Sequence, residues 1–367
     1  MKPIPFNDLS RNSPAIVGAL SAVGERVISG GWYVLGPESK QFEDEFAAFC
    51  GSSFAIGVAN GSDALELALR AVGVRAGESV VTVANAGGYS THAIRAIGAL
   101  PLFVDVEPDT QLINLDELAS IVQSKPLKAV IVTHLFGCMV DMKRVLEICA
   151  ENEIKVIEDC AQAHGASIEG KMAGSFGAAG CFSFYPTKNL GALGDGGAVI
   201  TSSAALADRL RSLRQYGWKE KYHTAVLNGR NSRLDDIQAS FLRVKLPLLK
   251  SWNLRRRKIA AHYCELITNE QVICPPIDSY GDACVAHLFV VRCVDRERLR
   301  NHLIARNIGC QIHYPVPDHL QEAWMDTSSN VNLPVTESLA SQVLSLPCYP
   351  ELEDDEIAFV IRAVNEH

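Results

Sequence analysis

The chain has little that would suit it to nucleic acid or to a membrane. Among its 367 residues, 34 Lys and Arg stand against 42 Asp and Glu, a net charge of −8. No global basic field is available to attract nucleic acid or anionic lipid. A phosphate site must therefore be local, made of backbone N–H groups and a few side chains. No apolar run approaches membrane-spanning length, and the opening MKPIPFNDLSRNSP has no signal-peptide-like apolar core. The expected location is cytoplasmic. The 11 cysteines form no CxxC pair and no Cys/His cluster with zinc spacing. No metal is expected, and the cysteines read as small buried hydrophobes in a reducing compartment. No Gly-x-Gly-x-x-Gly turn follows the first strand, which counts against a nicotinamide oxidoreductase. Internal repeats and low-complexity tracts are also missing.

What is present is an ordinary globular composition, 48% hydrophobic and 21% charged, arranged as alternating strands and helices. Phe54–Ala59, Ser79–Ala84, Pro101–Val106, Leu127–His134 and Lys155–Asp159 read as strands. Helical spacing recurs between them, at Ala64–Val72, His92–Gly98, Leu115–Gln123 and Met142–Glu151. Such alternation predicts an α/β fold, a largely parallel sheet with helices on both faces. The expected division is a large domain over residues 1–250, with an N-terminal arm, and a smaller α+β domain over 251–367. In the latter, Ala286–Val294 and Cys310–Tyr314 read as strands, and Arg296–Arg306 and Glu353–Asn365 as helices.

The most informative stretch is CFSFYPTKNLGALGDGGAVIT, Cys181–Thr201. It reads as strand, Pro-Thr turn, one lysine, Gly-rich loop and second strand. A lysine on such a turn loses hydration, which lowers its pKa and leaves free amine able to form a Schiff base. The alternative is a surface lysine in a hairpin. Earlier, Gly61-Ser62 opens a helix after a strand. Free first-turn N–H groups there suit a phosphate, or serve only an ordinary N-cap. Asp159 ends another strand. In open α/β sheets ligands collect at the carboxyl ends of strands, and all three features lie at that edge. Pyridoxal 5′-phosphate would use each of them: Lys188 for its aldehyde, Asp159 for its ring nitrogen, Gly61-Ser62 for its phosphate.

From about Pro5 to Ile361 the chain resembles the DegT/StrS family of nucleotide-sugar aminotransferases, fold-type I enzymes dependent on pyridoxal phosphate. The resemblance rests on WYVLGPE, GVANGSDALELALRA, PLFVDVEPDT, VIEDCAQAHGA, CFSFYPTKNLGALGDGGAVIT, GRNSRLDDIQAS, HLFVVR and HYPVPDHLQ, in that order. It implies a large domain with a mostly parallel seven-stranded sheet, and a homodimer with shared active sites. It places the imine on Lys188, Asp159 at the pyridine nitrogen and Gln162 near the ring hydroxyl. Gly61, Ser62 and Ser183 fall at the phosphate, and Asn231 reaches the partner's phosphate. Tyr185, His313, Tyr314 and His319 line the sugar side, and Arg233, Arg230 or Lys219 would meet the diphosphate. The family's ring-stacking aromatic falls in simple register on Gly88, so either the adjacent Tyr89 takes that place, as assigned here, or another group covers the ring face.

The resemblance implies transfer of an amino group from L-glutamate to a nucleotide-linked keto sugar. Sugar dehydratases of the family replace the lysine with histidine; Lys188 is kept here. PIPFNDL and GGWYVLGPE resemble members that aminate C3 of a dTDP-linked 3-keto-6-deoxy sugar. C4 enzymes share most of the same motifs. A non-catalytic regulator that binds the cofactor is a further alternative.

Overall fold

The computed structural model describes residues 2–324 and 331–367; Met1 and 325–330 of the two expected domain ranges lie outside the described residues. Strands β1 (Phe54–Val58), β2 (Ser79–Thr82), β3 (Leu100–Phe103), β4 (Ala129–Thr133) and β5 (Lys155–Asp159) come first. A short hairpin, β6 (Ser167–Ile168) and β7 (Lys171–Met172), follows, and then β8 (Ala179–Ser183) and β9 (Gly197–Thr201). All but β6 and β7 form one seven-stranded sheet in the order β1-β9-β8-β5-β4-β2-β3. Every residue of β4, Ala-Val-Ile-Val-Thr, is buried. A β-branched run without polar alternation is what a strand covered on both faces requires. The sheet is parallel from β3 through β8, whereas β9 runs antiparallel to both β8 and β1. The lysine-bearing loop returns from β8 to β9 without a crossover helix, so reversal is the available geometry.

Helices α1 (Pro14–Gly30), α2 (Pro37–Phe49), α3 (Gly61–Ala71), α4 (Tyr89–Ala96), α5 (Leu115–Ser124), α6 (Met142–Ala150), α7 (Ala204–Leu213), α8 (Asp236–Lys245) and α9 (Leu249–Leu266) surround the sheet, with α1 lying on α8 and α9 leading into the second core. Their ends follow sequence chemistry. Ser13 and Asn114 accept from the third residue onward as N-caps, and Gly31, at φ 67°, closes α1 in the left-handed region. α2 is capped from a distance. The Asp236 carboxylate accepts from the N–H groups of Gly36 (2.8 Å), Glu38 (3.0 Å) and Ser39 (3.2 Å).

Three antiparallel strands, β12 (Val272–Ile273), β13 (Phe289–Cys293) and β14 (Val343–Leu346), form a separate sheet. A second core closes over it. It contains Ile259 and Tyr263 of α9, Leu299 of the helix Arg296–Ala305, and Val360 of the helix Asp354–Asn365. Ile4 belongs to that core and bridges to Ile308. One local expectation changes. Cys310–Tyr314 is not a strand, having a single bridge, Gln311 to Ser345. The third strand of this sheet is instead β14, preceded by a helix at Pro334–Gln342. The polar segment 217–234 contains a hairpin of β10 (Trp218–Glu220) and β11 (His223–Thr224).

The cysteine reading is corrected at one place. Cys138 and Cys284 form a disulfide with Cα atoms 4.1 Å apart. The pair is 146 residues apart in sequence, and only the antiparallel bridge between the two positions brings them together. Spacing could not have disclosed it.

Candidate active site

Lys188 lies just beyond the carboxyl end of β8. Its N–H donates to the Tyr185 carbonyl (2.9 Å), closing the turn. A Cβ at Gly191 would collide with the Pro186 carbonyl, so glycine lets the loop fold back on that turn. The neighbouring Asn189 is buried. Its Nδ2 donates to Asn253 Oδ1 (2.8 Å), and its Oδ1 pairs with His287 Nδ1 (2.8 Å). These bonds anchor the backbone beneath the lysine. Burial pulls the Lys188 amine down to about 8, against a smaller upward pull from the Asp159 carboxylate. About a tenth to a fifth of it is thus neutral amine near physiological pH.

Asp159 ends β5, which pairs with β8 through Asp159 and Cys181. Burial raises its pKa; the Ala161 N–H, then Lys188, His134 and Thr133, counter the rise. Its Oδ1 accepts from Ala161 (3.1 Å). Gln162, three residues on, is also buried. Its Oε1 accepts from the Phe136 N–H (2.6 Å), and its Nε2 donates to the Tyr314 hydroxyl (3.1 Å).

Gly61 and Ser62 open α3. Asn60 is the N-cap, accepting from the Asp63 N–H (2.8 Å). The cap therefore falls one residue before the pair and leaves the Gly61 and Ser62 N–H groups to an outside acceptor. Ser183, at the end of β8, faces them. A Cβ on Gly61 would stand 2.6 Å from the Ser183 Cβ and 3.2 Å from its Oγ. Lys188, Asp159, Gln162, Gly61, Ser62 and Ser183 thus share one edge of the sheet.

Tyr89 is the first residue of α4, following Gly87 and Gly88, at φ 75° and 84°. Those glycines serve a purpose: a Cβ on Gly87 would lie 2.7 Å from the ring of Tyr314. Tyr89 is half exposed and meets Tyr314 edge-to-face, ring centres 6.4 Å apart. Both hydroxyls are pushed up by burial, and the Asp159 charge adds to both. His313 accompanies them. Its Nδ1 pairs with Ser345 Oγ (2.8 Å), and its ring stacks on Phe6 (5.7 Å). Burial and the nearby Lys188 hold it at about 4, hence neutral. Tyr185 is exposed at the mouth of the lysine turn.

Other expected residues fare differently. His319 is 2% exposed and pairs through Nε2 with Glu337 Oε1 (2.9 Å). Through that bond it fastens its loop to the helix Pro334–Gln342. Arg230 is held by Asp63 (3.1 Å) and Glu66, so its charge is already matched by two carboxylates. Asn231 and Lys219 are exposed and Arg233 is partly buried. Between the first and last of these, Ser232 is buried and accepts from the Ala59 N–H (3.0 Å), tying this loop to the end of β1.

Sequence reasoning missed a buried network beneath the site. Glu158 accepts from Gly174 (2.8 Å), Phe176 (2.8 Å), Gly177 (2.7 Å) and His134 Nε2 (3.1 Å). His134 Nδ1 accepts from the Val140 N–H (3.2 Å), so its Nε2 bears the proton. His134, Glu158 and Cys160 come within 4.8 Å of one another, but these bonds engage both carboxylate oxygens and both ring nitrogens. The cluster is a structural knot that fixes β5 just before Asp159. Glu158→Ala is expected to destabilise the fold by about 3–5 kcal/mol, since it leaves several buried donors without an acceptor. Chemical denaturation against wild type measures it. The alternation in VIEDC gives no hint of the knot, because its donors come from the turn after β7 and from His134, just past β4.

An amine of lowered pKa, a buried carboxylate and a helix start with free N–H groups lie together on the carboxyl edge of a mostly parallel sheet, an arrangement consistent with the class of fold-type I pyridoxal-phosphate aminotransferases. The chain belongs to the DegT/DnrJ/EryC1/StrS aminotransferase family, whose model matches residues 18–365. A relative from Aneurinibacillus thermoaerophilus, dTDP-3-amino-3,6-dideoxy-alpha-D-galactopyranose transaminase, is 44% identical over 99% of each chain. Another, from Streptomyces venezuelae, dTDP-3-amino-3,4,6-trideoxy-alpha-D-glucose transaminase, is 42% identical over 99% of this chain and 96% of its own. Among solved structures, S. venezuelae DesV in complex with a ketimine intermediate matches with a TM-score of 0.94. It is 41% identical, covering 100% of this chain and 98% of that one.

Proposed function

We propose that this enzyme moves an amino group from L-glutamate to C3 of a dTDP-linked 3-keto-6-deoxy sugar, as a cytoplasmic homodimer. One observation carries the reading. Lys188, on the turn just past β8, and Asp159, at the end of the adjacent β5, lie at the same edge of the sheet, where burial shifts the pKa of each, with a glycine-opened helix start beside them.

The residues fit pyridoxal 5′-phosphate. Gly61, Ser62 and Ser183 would hold its phosphate through two unengaged N–H groups and hydroxyls. Asp159 would keep the ring nitrogen protonated, Gln162 would face the ring hydroxyl, and Tyr89 would stand against the ring. When bound, the cofactor supplies an aldehyde and an electron sink. Lys188 does the proton work. Its amine, near 8, takes a proton from the donor carbon and returns one on the acceptor side, as base and then acid. His313, neutral at working pH, adds no positive charge beside it. Tyr185, His313 and Tyr314 would line the sugar, with Arg233 and Lys219 at the diphosphate.

The exposed Trp32 and Tyr33, at 61% and 52%, are apolar surface suited to a second copy. Asn231 is exposed on the loop we assign to the partner's phosphate. The division at about residue 250 is proposed with the rest, Ile4 joining the smaller core. The C3 preference draws on the opening motifs and on the two relatives named as 3-amino-sugar transaminases.

The test offers the loaded enzyme glutamate alone, then a panel of dTDP- and UDP-keto sugars. Stoichiometric 2-oxoglutarate in the first stage is expected, then a dTDP-3-amino sugar by mass spectrometry and NMR. No 2-oxoglutarate from glutamate would sink the proposal.

A further inference from the structure

Asp318 was not singled out in the sequence beyond its place in HYPVPDHLQ. It is 1% exposed. Its Oδ2 accepts from the Thr91 hydroxyl at 2.5 Å, across 227 residues of sequence. Its backbone N–H donates to the Ala84 carbonyl (2.8 Å). Its Oδ1 is buried without a hydrogen-bond partner among the described residues.

The helix it reaches is α4. Gly88, the N-cap, has no side chain to cap with, so the first turn lacks the local acceptor that Ser, Asp or Asn would supply. A carboxylate beside that turn also meets the positive end of the helix. The first turn of α4 carries Tyr89, and the loop of Asp318 carries Tyr314. Those two rings meet 6.4 Å apart, beside Gly87 and Gln162. One carboxylate therefore joins the two elements that bear the aromatic wall of the site.

We infer that Asp318 is a positioning residue: it latches the loop of Tyr314 onto the first turn of α4 and so sets Tyr314 on the sugar side of the site. The inference rests on the proposed aminotransferase reading for its consequence, but not for the latch itself. Burial lifts this carboxyl to about 7, while the Thr91 hydroxyl draws it down. A carboxyl kept buried at that cost, with one oxygen unmatched, is retained for what it holds in place.

The test has two arms. In the first, hydrogen–deuterium exchange is measured on the cofactor-free chain. Asp318→Leu and Thr91→Val should each exchange at least about tenfold faster in 84–92 and 314–320, the size expected for losing a buried hydrogen bond. Thr91→Ser, which keeps the hydroxyl, should stay near wild type. In the second, the loaded enzymes run in reverse on a dTDP-3-amino-3,6-dideoxyhexose and 2-oxoglutarate. KM for the sugar should rise about tenfold in the two disrupting variants, with 2-oxoglutarate release from glutamate within about twofold of wild type. Unchanged exchange in both disrupting variants would overturn the latch. Equal losses in both half-reactions would overturn its role on the sugar side. A wild type that releases no 2-oxoglutarate would instead strike the functional reading and leave the exchange result standing.

Discussion

Lys188→Ala is expected to remove turnover, by about 10⁴-fold or more, since it deletes the group that must move the proton in both half-reactions. The fold should survive. The turn that presents the residue is closed by a backbone bond to Tyr185, and the anchoring bonds beneath it belong to Asn189. Thermal melting should therefore be near wild type. Borohydride treatment of the loaded protein, followed by peptide mass spectrometry, should leave cofactor mass on the wild-type peptide and none on the variant. Lys188→Arg separates charge from reactivity. A guanidinium stays protonated where an amine near 8 does not, so it too should be inactive. Wild-type rates in Lys188→Ala would end the assignment.

Asp159→Asn should lower kcat by about 10²–10³, the scale on which removing one pre-organised electrostatic partner acts. Asparagine fills the same space but cannot hold a proton on a ring nitrogen by charge. The substitution also touches the lysine, and the sign is informative. The Asp159 charge raises the Lys188 pKa, so Asn should move that amine below about 8 and leave it more deprotonated. Activity should consequently not recover between pH 7 and 9.5. Recovery on raising the pH would locate the defect in lysine protonation, and a kcat within a few fold of wild type would remove Asp159 from the ring nitrogen.

Much of this site is legible in the sequence because its parts sit on short, regular connections. The apolar runs with no polar alternation mark buried strands. The residues just past their carboxyl ends are then candidates by position alone, which is how Gly61, Asp159 and Lys188 come together. The boundaries are less legible. Ser183 ends β8 and Tyr185 already lies beyond it, exposed, because Pro186 and the loop geometry stop the ladder before the apolar run ends.

His319 illustrates a different limit. A histidine in a motif beside an active site has the same letters whether it touches substrate or ties down a loop. Its partner, Glu337, lies 18 residues away on a helix that the sequence did not announce. Arg230 likewise reads as a free cation until α3 brings two carboxylates to it.

The order of residues alone determined that this is an α/β protein, that it carries a lysine on a glycine-supported turn between strands, and that a carboxylate and a glycine-opened helix start fall at strand ends. Local propensity and periodicity suffice for that, since each feature depends on neighbours a few positions away. Tertiary structure decided the rest: the reversal of β9, the Cys138–Cys284 link, the knot around Glu158, and the latch from Asp318 to Thr91. Each depends on groups that meet only after the chain has folded, when burial removes water and leaves a buried polar atom only the partners that packing supplies.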